Sequence, residues 1–192
     1  YIDFHDQVLF SKTLDKKRCF EIVASLRKNK IDGILEGSKA VYFDHEIKHP
    51  VLQEIKEHYQ ADGCNVLDFD EPDIEFDKFT IWFDDSANLS AFKQEISHDF
   101  DYIVRGDDFG EIVPAGFSKA TGIQFLLDYF NLDLEDAYVF GDSFNDRTML
   151  EYVKYAIVMG NGNPELFDLA YLVTKSIDDD GIEYAMKQLE LI

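Results

Sequence analysis

Positive charge is scarce in this chain of 192 residues, in which 18 lysines and arginines stand against 39 aspartates and glutamates. The formal net charge is −21 with neutral histidines. Proteins that bind DNA or RNA need a basic patch that neutralises phosphates and releases counterions. Anionic membrane surfaces attract proteins through similar clusters of lysine and arginine. The composition therefore argues against nucleic acids and membranes as partners.

Cysteine is also scarce. Cys19 and Cys64 are too few for a disulfide framework, and they lack the Cys-x-x-Cys spacing of zinc and redox motifs. No apolar run approaches the roughly 18 residues that cross a bilayer, and no basic-then-apolar signal segment opens the chain. We therefore expect a cytoplasmic protein with reduced thiols. Because the first residue is Tyr1 rather than Met, we also expect that a segment precedes it.

The hydrophobic content is sufficient for a packed core, at 46% of residues with 15% aromatic. After residue 118, helical patterns alternate with apolar runs at 137–140, 155–159 and 171–174. Strands that alternate with helices are typical of a parallel sheet with crossover helices. In such sheets ligands bind beyond the carboxyl ends of the strands, so the residues that follow each run are the candidates for a site.

The first half of the chain has a different hydrophobic pattern, which indicates several short strands and three helices. It predicts an α+β module of mostly antiparallel character, and 113–116 is the best candidate for a hinge. The predicted organisation is therefore a hairpin segment over 1–12, an α+β domain over 13–112 and a parallel α/β domain over 113–192.

The sharpest motif is Gly141-Asp142-Ser143-Phe144-Asn145-Asp146, which follows the predicted strand 137–140. Two carboxylates four residues apart on a strand-to-helix turn can face one crevice, where Mg²⁺ takes one or two carboxylates, waters and a phosphate oxygen. Gly141 permits the tight turn. The alternative is purely structural, since Asp and Asn also cap helices that follow strands.

Lys119 stands directly after Ser118, at the start of a predicted helix. The helix dipole disfavours a cation in the first turn, so this lysine is either solvated or paired with an anion. An ammonium on a flexible stem is suited to holding a phosphate or a carboxylate.

These motifs together resemble the haloacid dehalogenase-like phosphatases, and within them the Cof-type sugar-phosphate phosphatases. The resemblance runs in order from 111–119 through 141–150 and 158–161 to 170–174 and 179–182. It covers residues 111 to 189, while the first 110 residues look more loosely like the inserted α+β cap of that subfamily. The resemblance implies a Rossmann-like parallel-sheet core, here its C-terminal part, with a cap that selects the substrate.

The resemblance also implies roles for individual residues. Asp142 would bind Mg²⁺, and Asp146 would assist as a second acidic residue at the metal. Lys119 would neutralise charge between the nucleophile and the phosphoryl group. Asn145 and, in the cap, Arg105 would contact the substrate, a small phosphorylated metabolite such as a sugar phosphate.

The family's nucleophile is an aspartate at the end of an apolar strand, in an Asp-x-Asp motif that precedes the cap. We expect it to lie upstream of Tyr1. Asp68-Phe69-Asp70 has the same spacing, but Glu71-Pro72 follows it in place of small residues, and we interpret this stretch as an acidic loop. If the nucleophile were absent from the protein, a phosphate-binding relative without catalysis would be the alternative.

A further alternative comes from His45-Glu46-Ile47-Lys48-His49, which matches the His-Glu-x-x-His pattern of zinc peptidases. That chemistry requires both histidines on one face of a helix. Pro50 disfavours helical geometry at His49, so a polar connection between a strand and a helix is the better interpretation.

Overall fold

The computed structural model describes all of residues 1–192. The chain forms two compact units, Tyr1–Gly116 and Phe117–Ile192. Each unit has its own sheet and its own cluster of buried apolar side chains. None of the helices combines the length and the apolar character that are needed to cross a membrane.

The first unit contains a hairpin and a six-stranded sheet. The hairpin pairs β1 (Ile2–Phe4) with β2 (Gln7–Phe10) in antiparallel orientation. The sheet consists of β3 (Asp32–Glu36), β4 (Val41–Phe43), β5 (Val66–Asp68), β6 (Lys78–Trp82), β7 (Phe100–Val104) and β8 (Phe109–Pro114). Its strand order is β5-β4-β3-β6-β8-β7, and every pairing except that of β4 with β5 is antiparallel.

Three helices accompany this sheet: α1 (Lys16–Lys28), α2 (Pro50–Ala61) and α3 (Leu89–Ile96). Strand β6 alternates between buried and half-buried residues, as expected of a strand whose two faces have different surroundings. One face presents Phe79 and Ile81 to the larger core, which also contains Leu26 of α1 and Phe92 of α3. The other face contributes Ile34 of β3 and Phe43 of β4 to a smaller cluster with Leu52 of α2.

The second unit has three parallel strands, β9 (Tyr138–Gly141), β10 (Tyr155–Val158) and β11 (Leu172–Val173), in the order β11-β10-β9. Its α-helices are α4 (Lys119–Phe130), α5 (Arg147–Tyr152) and α6 (Gly181–Gln188). The fully buried Val158 and Leu166 belong to its core. The predicted parallel α/β fold is confirmed for this part of the chain.

One local prediction was partly wrong. Of Asp68-Phe69-Asp70, which we interpreted as an acidic loop, Asp68 is the last residue of strand β5 (Val66–Asp68), whereas residues 69 and 70 form the turn that follows it. The strand pairs in parallel with β4, Val41 opposite Val66 and Phe43 opposite Asp68, and it lies at the edge of the sheet. An edge strand of three residues needs no long apolar run, because it has one neighbour and is only half-buried.

Candidate functional site

Three of the five predicted site residues, Lys119, Asp142 and Asp146, are in contact in the second unit, and Asn145 lies in the same loop. Asp142 follows β9 directly, and Asp146 precedes the first residue of α5. Arg105 belongs to the first unit, after the end of β7. The cluster in the second unit therefore lies at the carboxyl end of a parallel strand, where α/β sheets bind ligands.

The first turn of α4 is fixed by a reciprocal cap. The hydroxyl of Ser118 accepts a hydrogen bond from the backbone N–H of Thr121, and the hydroxyl of Thr121 accepts one from the N–H of Ser118 at 2.9 Å. The two bonds satisfy donors that a helix N-terminus leaves free. They also determine the position of Lys119, which is the first residue of the helix.

Lys119 is paired with an anion, one of the two situations that the sequence left open. Its ammonium donates a hydrogen bond to Oδ1 of Asp146. The side chain of Lys119 stays 47% exposed while that of Asp146 is only 5% exposed. An ammonium has three hydrogens, so two are still available for an anionic ligand.

Asp146 uses both of its carboxylate oxygens. Oδ1 accepts from Lys119, and Oδ2 accepts from the backbone N–H groups of Asp142 at 2.9 Å and Ser143 at 3.2 Å. Burial by itself raises the pKa of Asp146, but these hydrogen bonds outweigh it and hold the pKa below its ordinary value. Asp146 is therefore an ionised carboxylate that fixes both the lysine and the loop.

Gly141 is required here for space rather than for an unusual backbone angle. A Cβ at this position would lie 2.8 Å from Cβ of Asp146, closer than such atoms come. Its φ is not among the positive ones in the chain, which differs from our expectation that the turn needs glycine's conformational freedom.

Asp142 differs from Asp146 because its carboxylate is exposed and makes no hydrogen bond or ion pair within the chain. Its backbone, however, is held firmly. The carbonyl of Asp142 accepts a hydrogen bond of 2.8 Å from the N–H of Asn163, in the loop that follows β10. A Cβ on Gly162 would lie 3.0 Å from both Cα and the carbonyl oxygen of Asp142. A free carboxylate thus projects from a fixed backbone.

Asn145 lies between the two aspartates in the sequence, and its amide oxygen accepts a hydrogen bond of 2.7 Å from the hydroxyl of Ser143. The amide nitrogen of Asn145 makes no hydrogen bond within the chain. It is thus available as a donor to an anionic ligand.

The donor set at this site suits a hard divalent cation. Asp142 offers a free carboxylate, and Mg²⁺ typically takes one or two carboxylates, completing its shell with waters and phosphate oxygens. Asp146 lies behind the same loop, but both of its oxygens already accept hydrogen bonds. Asp142 is therefore the residue best able to bind the ion directly.

Arg105 has a different environment. Its Nη1 lies 3.8 Å from Oε2 of Glu111 on β8, and this buried nitrogen has no hydrogen-bond partner. Its backbone N–H donates to the carbonyl of Phe109 at 3.2 Å, which places it beside the start of β8.

The zinc-peptidase alternative is wrong, because residues 44–49 contain no helix. Helix α2 begins at Pro50, and His49 has extended backbone angles as its N-cap. The two histidines also have different partners, Nδ1 of His45 lying 3.5 Å from Asp68 and Nε2 of His49 lying 3.6 Å from Asp108. His45, Asp68 and Asp70 form a group of potential metal ligands in which Asp68 is half-buried, and Asp70 is also paired with the guanidinium of Arg27.

Sequence reasoning missed the contribution of the loop after β10, which contains Gly162 and Asn163. The signal that could have indicated it is positional. Parallel strands that are neighbours end at the same edge of the sheet, so Gly160-Asn161-Gly162 after β10 had to approach the loop after β9.

Comparison with known proteins gives relatives that match parts of this chain. YkrA of Bacillus subtilis (strain 168) is 46% identical over 82 residues, which are 43% of this chain and 32% of YkrA. The 5-amino-6-(5-phospho-D-ribitylamino)uracil phosphatase YwtE of the same organism is 34% identical over 107 residues, 55% of this chain and 37% of YwtE. The chain thus matches about a third of the length of these two curated relatives.

A solved structure of a subclass IIB sugar phosphatase of the haloacid dehalogenase superfamily, BT4131, has the same fold. It superimposes with a TM-score of 0.76 at 21% identity, over 97% of this chain and 71% of that one. The sequence model of the haloacid dehalogenase-like hydrolases matches residues 1–186. The chain therefore belongs to the haloacid dehalogenase-like hydrolase family.

Proposed function

We propose that this chain is part of a Mg²⁺-dependent phosphatase that hydrolyses a small phosphorylated metabolite, such as a sugar phosphate, in the cytoplasm. The observation that carries the proposal is the Lys119–Asp146 ion pair beside the free carboxylate of Asp142, at the carboxyl end of β9. The positive charge of Lys119 complements the negative charge of a phosphate monoester, and the nearby carboxylate of Asp142 complements the charge of a metal ion.

Lys119 is the phosphate-binding residue in this proposal. Asp146 holds its ammonium in place, while two hydrogens stay free to donate to phosphoryl oxygens. Fixed positive charge that faces the oxygens of a transferring phosphoryl group is the main form of catalysis in such reactions. Asn145 adds a neutral donor on the same loop.

Asp142 holds the metal ion. Asp146, whose carboxylate accepts a hydrogen bond from the backbone N–H of Asp142, adds negative charge near the ion. When bound, Mg²⁺ would neutralise phosphate charge and orient the phosphoryl group. The fixed backbone of Asp142, bonded to Asn163 and in close contact with Gly162, keeps the carboxylate in position without rearrangement.

The nucleophile of the proposed reaction is an aspartate that precedes Tyr1, as the family resemblance implies. Its carboxylate attacks phosphorus, the alcohol leaves, and water hydrolyses the resulting aspartyl-phosphate. Residues 13–112 act as the cap that selects the alcohol, with Arg105 among its substrate contacts. The printed names of YwtE and BT4131, a phosphatase of a phosphorylated ribitylamino compound and a sugar phosphatase, support this substrate class.

The metal assignment is tested by replacing Asp142 with alanine in the 192-residue chain. Binding of Mn²⁺, a spectroscopic substitute for Mg²⁺, is followed by electron paramagnetic resonance and by competition with Mg²⁺. We expect Asp142→Ala to weaken binding at least about tenfold, because it removes the free carboxylate of the site. Asp168→Ala, in the same unit, removes an exposed carboxylate elsewhere and serves as the matched control.

Equal binding by Asp142→Ala and the parent chain would refute the metal assignment. For the reaction itself, the protein that includes the preceding segment should release phosphate from sugar phosphates, and Lys119→Met should abolish most of this activity. Metal and phosphate binding without phosphate release would indicate a binding protein instead.

A further inference from the structure

Two sequence motifs that have no part in the proposed phosphatase site meet in the first unit. His45 comes from the His-Glu-x-x-His match, and Asp68 and Asp70 come from the Asp-x-Asp stretch. Nδ1 of His45 lies 3.5 Å from Oδ1 of Asp68 and 3.5 Å from Oδ2 of Asp70. We call His45, Asp68 and Asp70 the His45 cluster.

The topology of the sheet explains why these residues meet. Strand β4 ends at Phe43 and β5 ends at Asp68, and the two residues are partners in the parallel pairing of these strands. His45 follows β4 by two residues, and Asp70 follows β5 by two residues. Because neighbouring parallel strands end at the same edge of a sheet, the loops that follow them lie side by side.

Arg27 of helix α1 holds the carboxylates around the His45 cluster. Its Nε donates to Oδ2 of Asp44 at 2.7 Å, and its Nη1 donates to Oδ1 of Asp70 at 2.7 Å. The bond from Arg27 holds the pKa of Asp70 below its ordinary value, so Asp70 is ionised at neutral pH. Arg27 thus occupies one oxygen of Asp70 and leaves Oδ2, the oxygen nearer His45, for another partner.

The distances around His45 are longer than those of good hydrogen bonds. Nδ1 lies 3.3 Å from Oδ1 of Asp44, besides the two distances of 3.5 Å to Asp68 and Asp70. Hydrogen bonds between nitrogen and oxygen are typically about 2.7–3.2 Å long. Two atoms that bind one Zn²⁺ at about 2.0–2.1 Å with tetrahedral angles are about 3.3–3.4 Å apart. The separations around Nδ1 therefore resemble those between ligands of one metal ion.

The charge near the cluster also favours a cation. The carboxylates of Asp44, Asp68 and Asp70 surround His45, and Arg27 is the cation paired with them. Three negative charges against one positive charge leave an excess of two negative charges. A divalent cation neutralises this excess, whereas a phosphate would be repelled.

A cavity of about 300 Å³ adjoins the cluster, and its wall includes Asp44 and His45. The other charged residues of the wall besides Arg27 balance one another: Lys30, Lys48, Asp32 and Glu46. A metal ion with three protein ligands needs room for water in its remaining position. The cavity supplies that room on the side of His45.

We propose that the His45 cluster binds Zn²⁺ through Nδ1 of His45 and one carboxylate oxygen each of Asp68 and Asp70. Zn²⁺ accepts mixed nitrogen and oxygen ligands, whereas Mg²⁺ prefers oxygen alone. The ion joins the loop after β4 to the loop after β5. His49 takes no part, so the arrangement differs from that of a zinc peptidase. The site is separate from Asp142 and does not depend on the proposed function.

The test is a calorimetric titration of Zn²⁺ into the 192-residue chain that carries Asp142→Ala. This variant lacks the free carboxylate of the other metal site, and Mg²⁺ in excess occupies sites built from oxygen alone. We expect one Zn²⁺ to bind per chain. Co²⁺ should bind in its place and show, in its visible absorption, a ligand field that includes nitrogen.

His45→Gln should weaken Zn²⁺ binding at least about tenfold, because it removes the single nitrogen ligand. His98→Gln is the matched control, since His98 is also exposed and its Nδ1 lies 2.8 Å from one carboxylate, that of Asp99. Zn²⁺ should raise the melting temperature of the parent chain and of His98→Gln, but not that of His45→Gln.

Asp70→Asn should likewise weaken Zn²⁺ binding at least about tenfold. Asp73→Asn is its matched control, because Asp73 is exposed and paired with Lys16 as Asp70 is exposed and paired with Arg27. If the loss of a partner for Arg27 prevents Asp70→Asn from folding, Asp68→Asn replaces it.

The proposal is overturned if the Asp142→Ala chain binds no Zn²⁺. It is also overturned if His45→Gln binds Zn²⁺ as tightly as the parent chain, or if His98→Gln loses binding to the same extent. Binding that persists in Asp142→Ala and is lost in His45→Gln supports the site, whether or not the longer protein releases phosphate.

Discussion

Asp146 accepts three hydrogen bonds on its two oxygens, from the ammonium of Lys119 and from the N–H groups of Asp142 and Ser143. The sequence predicted that Lys119 and Asp146 belong to one site, but it did not predict that one neutralises the other. Four residues separate the aspartates, and this spacing alone is compatible with two metal ligands. Only the fold reveals that Asp146 points into the loop while Asp142 points out of it.

Asp146→Asn should lower the free energy of unfolding at neutral pH by about 1–3 kcal/mol, because a neutral amide replaces an ionised carboxylate among buried donors. The folded-state pKa of Asp146 lies below its ordinary value of 3.8. Its stabilising contribution is therefore present above about pH 3.8 and is lost as the pH falls through the folded pKa. Urea unfolding of both proteins from about pH 7 to about pH 3 should show the difference shrinking at the acid end.

A difference that stayed constant over this range would mean that the ionised form of Asp146 has no special role. Asp128→Asn is a suitable control, because Asp128 is exposed and accepts one hydrogen bond from Gln124. Its replacement should change the free energy of unfolding by no more than about 0.5 kcal/mol.

The sequence predicted a helix or a strand correctly where its hydrophobic periodicity and the residues at its ends indicated the same element. Helix α4 begins at Lys119, as predicted, and helix α2 begins at Pro50, directly after the predicted polar connection. Strand β5 escaped prediction because three half-buried residues have no pattern to recognise. The contact of Gly162 with Asp142 was not predicted for another reason, since it joins two loops and depends on β9 and β10 being neighbours in the sheet.

Gly162 and Gly122 have different surroundings, and we expect their replacement by alanine to have opposite effects on stability. Gly162→Ala would place a Cβ 2.9 Å from the carbonyl oxygen of Met159 and 3.0 Å from Cα of Asp142. We expect it to lower the free energy of unfolding by about 1–3 kcal/mol, as overpacking does, and to weaken Mn²⁺ binding by displacing Asp142. Thermal unfolding and electron paramagnetic resonance measure the two effects.

Gly122→Ala is the matched control within the same unit. Gly122 lies inside helix α4, and a Cβ there meets nothing within 4 Å. It should stabilise the protein by about 0.5–1 kcal/mol, because alanine loses less conformational entropy in a helix, and it should leave Mn²⁺ binding unchanged. Equal effects of the two substitutions would contradict the assigned roles of both glycines.

At the scale of the whole molecule, the dominant feature is the net charge of −21. Like charges repel one another across the compact state more than across the expanded chain, and salt screens this repulsion. Raising NaCl from about 20 mM to about 300 mM should therefore raise the melting temperature by about 2–5 °C. KCl should have the same effect, because screening does not depend on the identity of the monovalent ion.

A melting temperature that falls with salt would mean that ion pairs outweigh the general repulsion. Several of the ion pairs, such as Lys17 with Glu21 and Lys187 with Glu183, are largely exposed. Exposed pairs contribute at most about 1 kcal/mol each and are screened by salt. The expected sign of the salt effect is therefore positive.

The order of elements along the chain has a consequence for synthesis on the ribosome. All six strands of the larger sheet come from residues 32–114, so the first unit is complete in sequence before Phe117 is added. Translation proceeds at about 5–20 residues per second, which is slow compared with hairpin formation in about 1–10 microseconds. The β7–β8 hairpin and the sheet around it can thus fold before all of the second unit, Phe117–Ile192, has been translated.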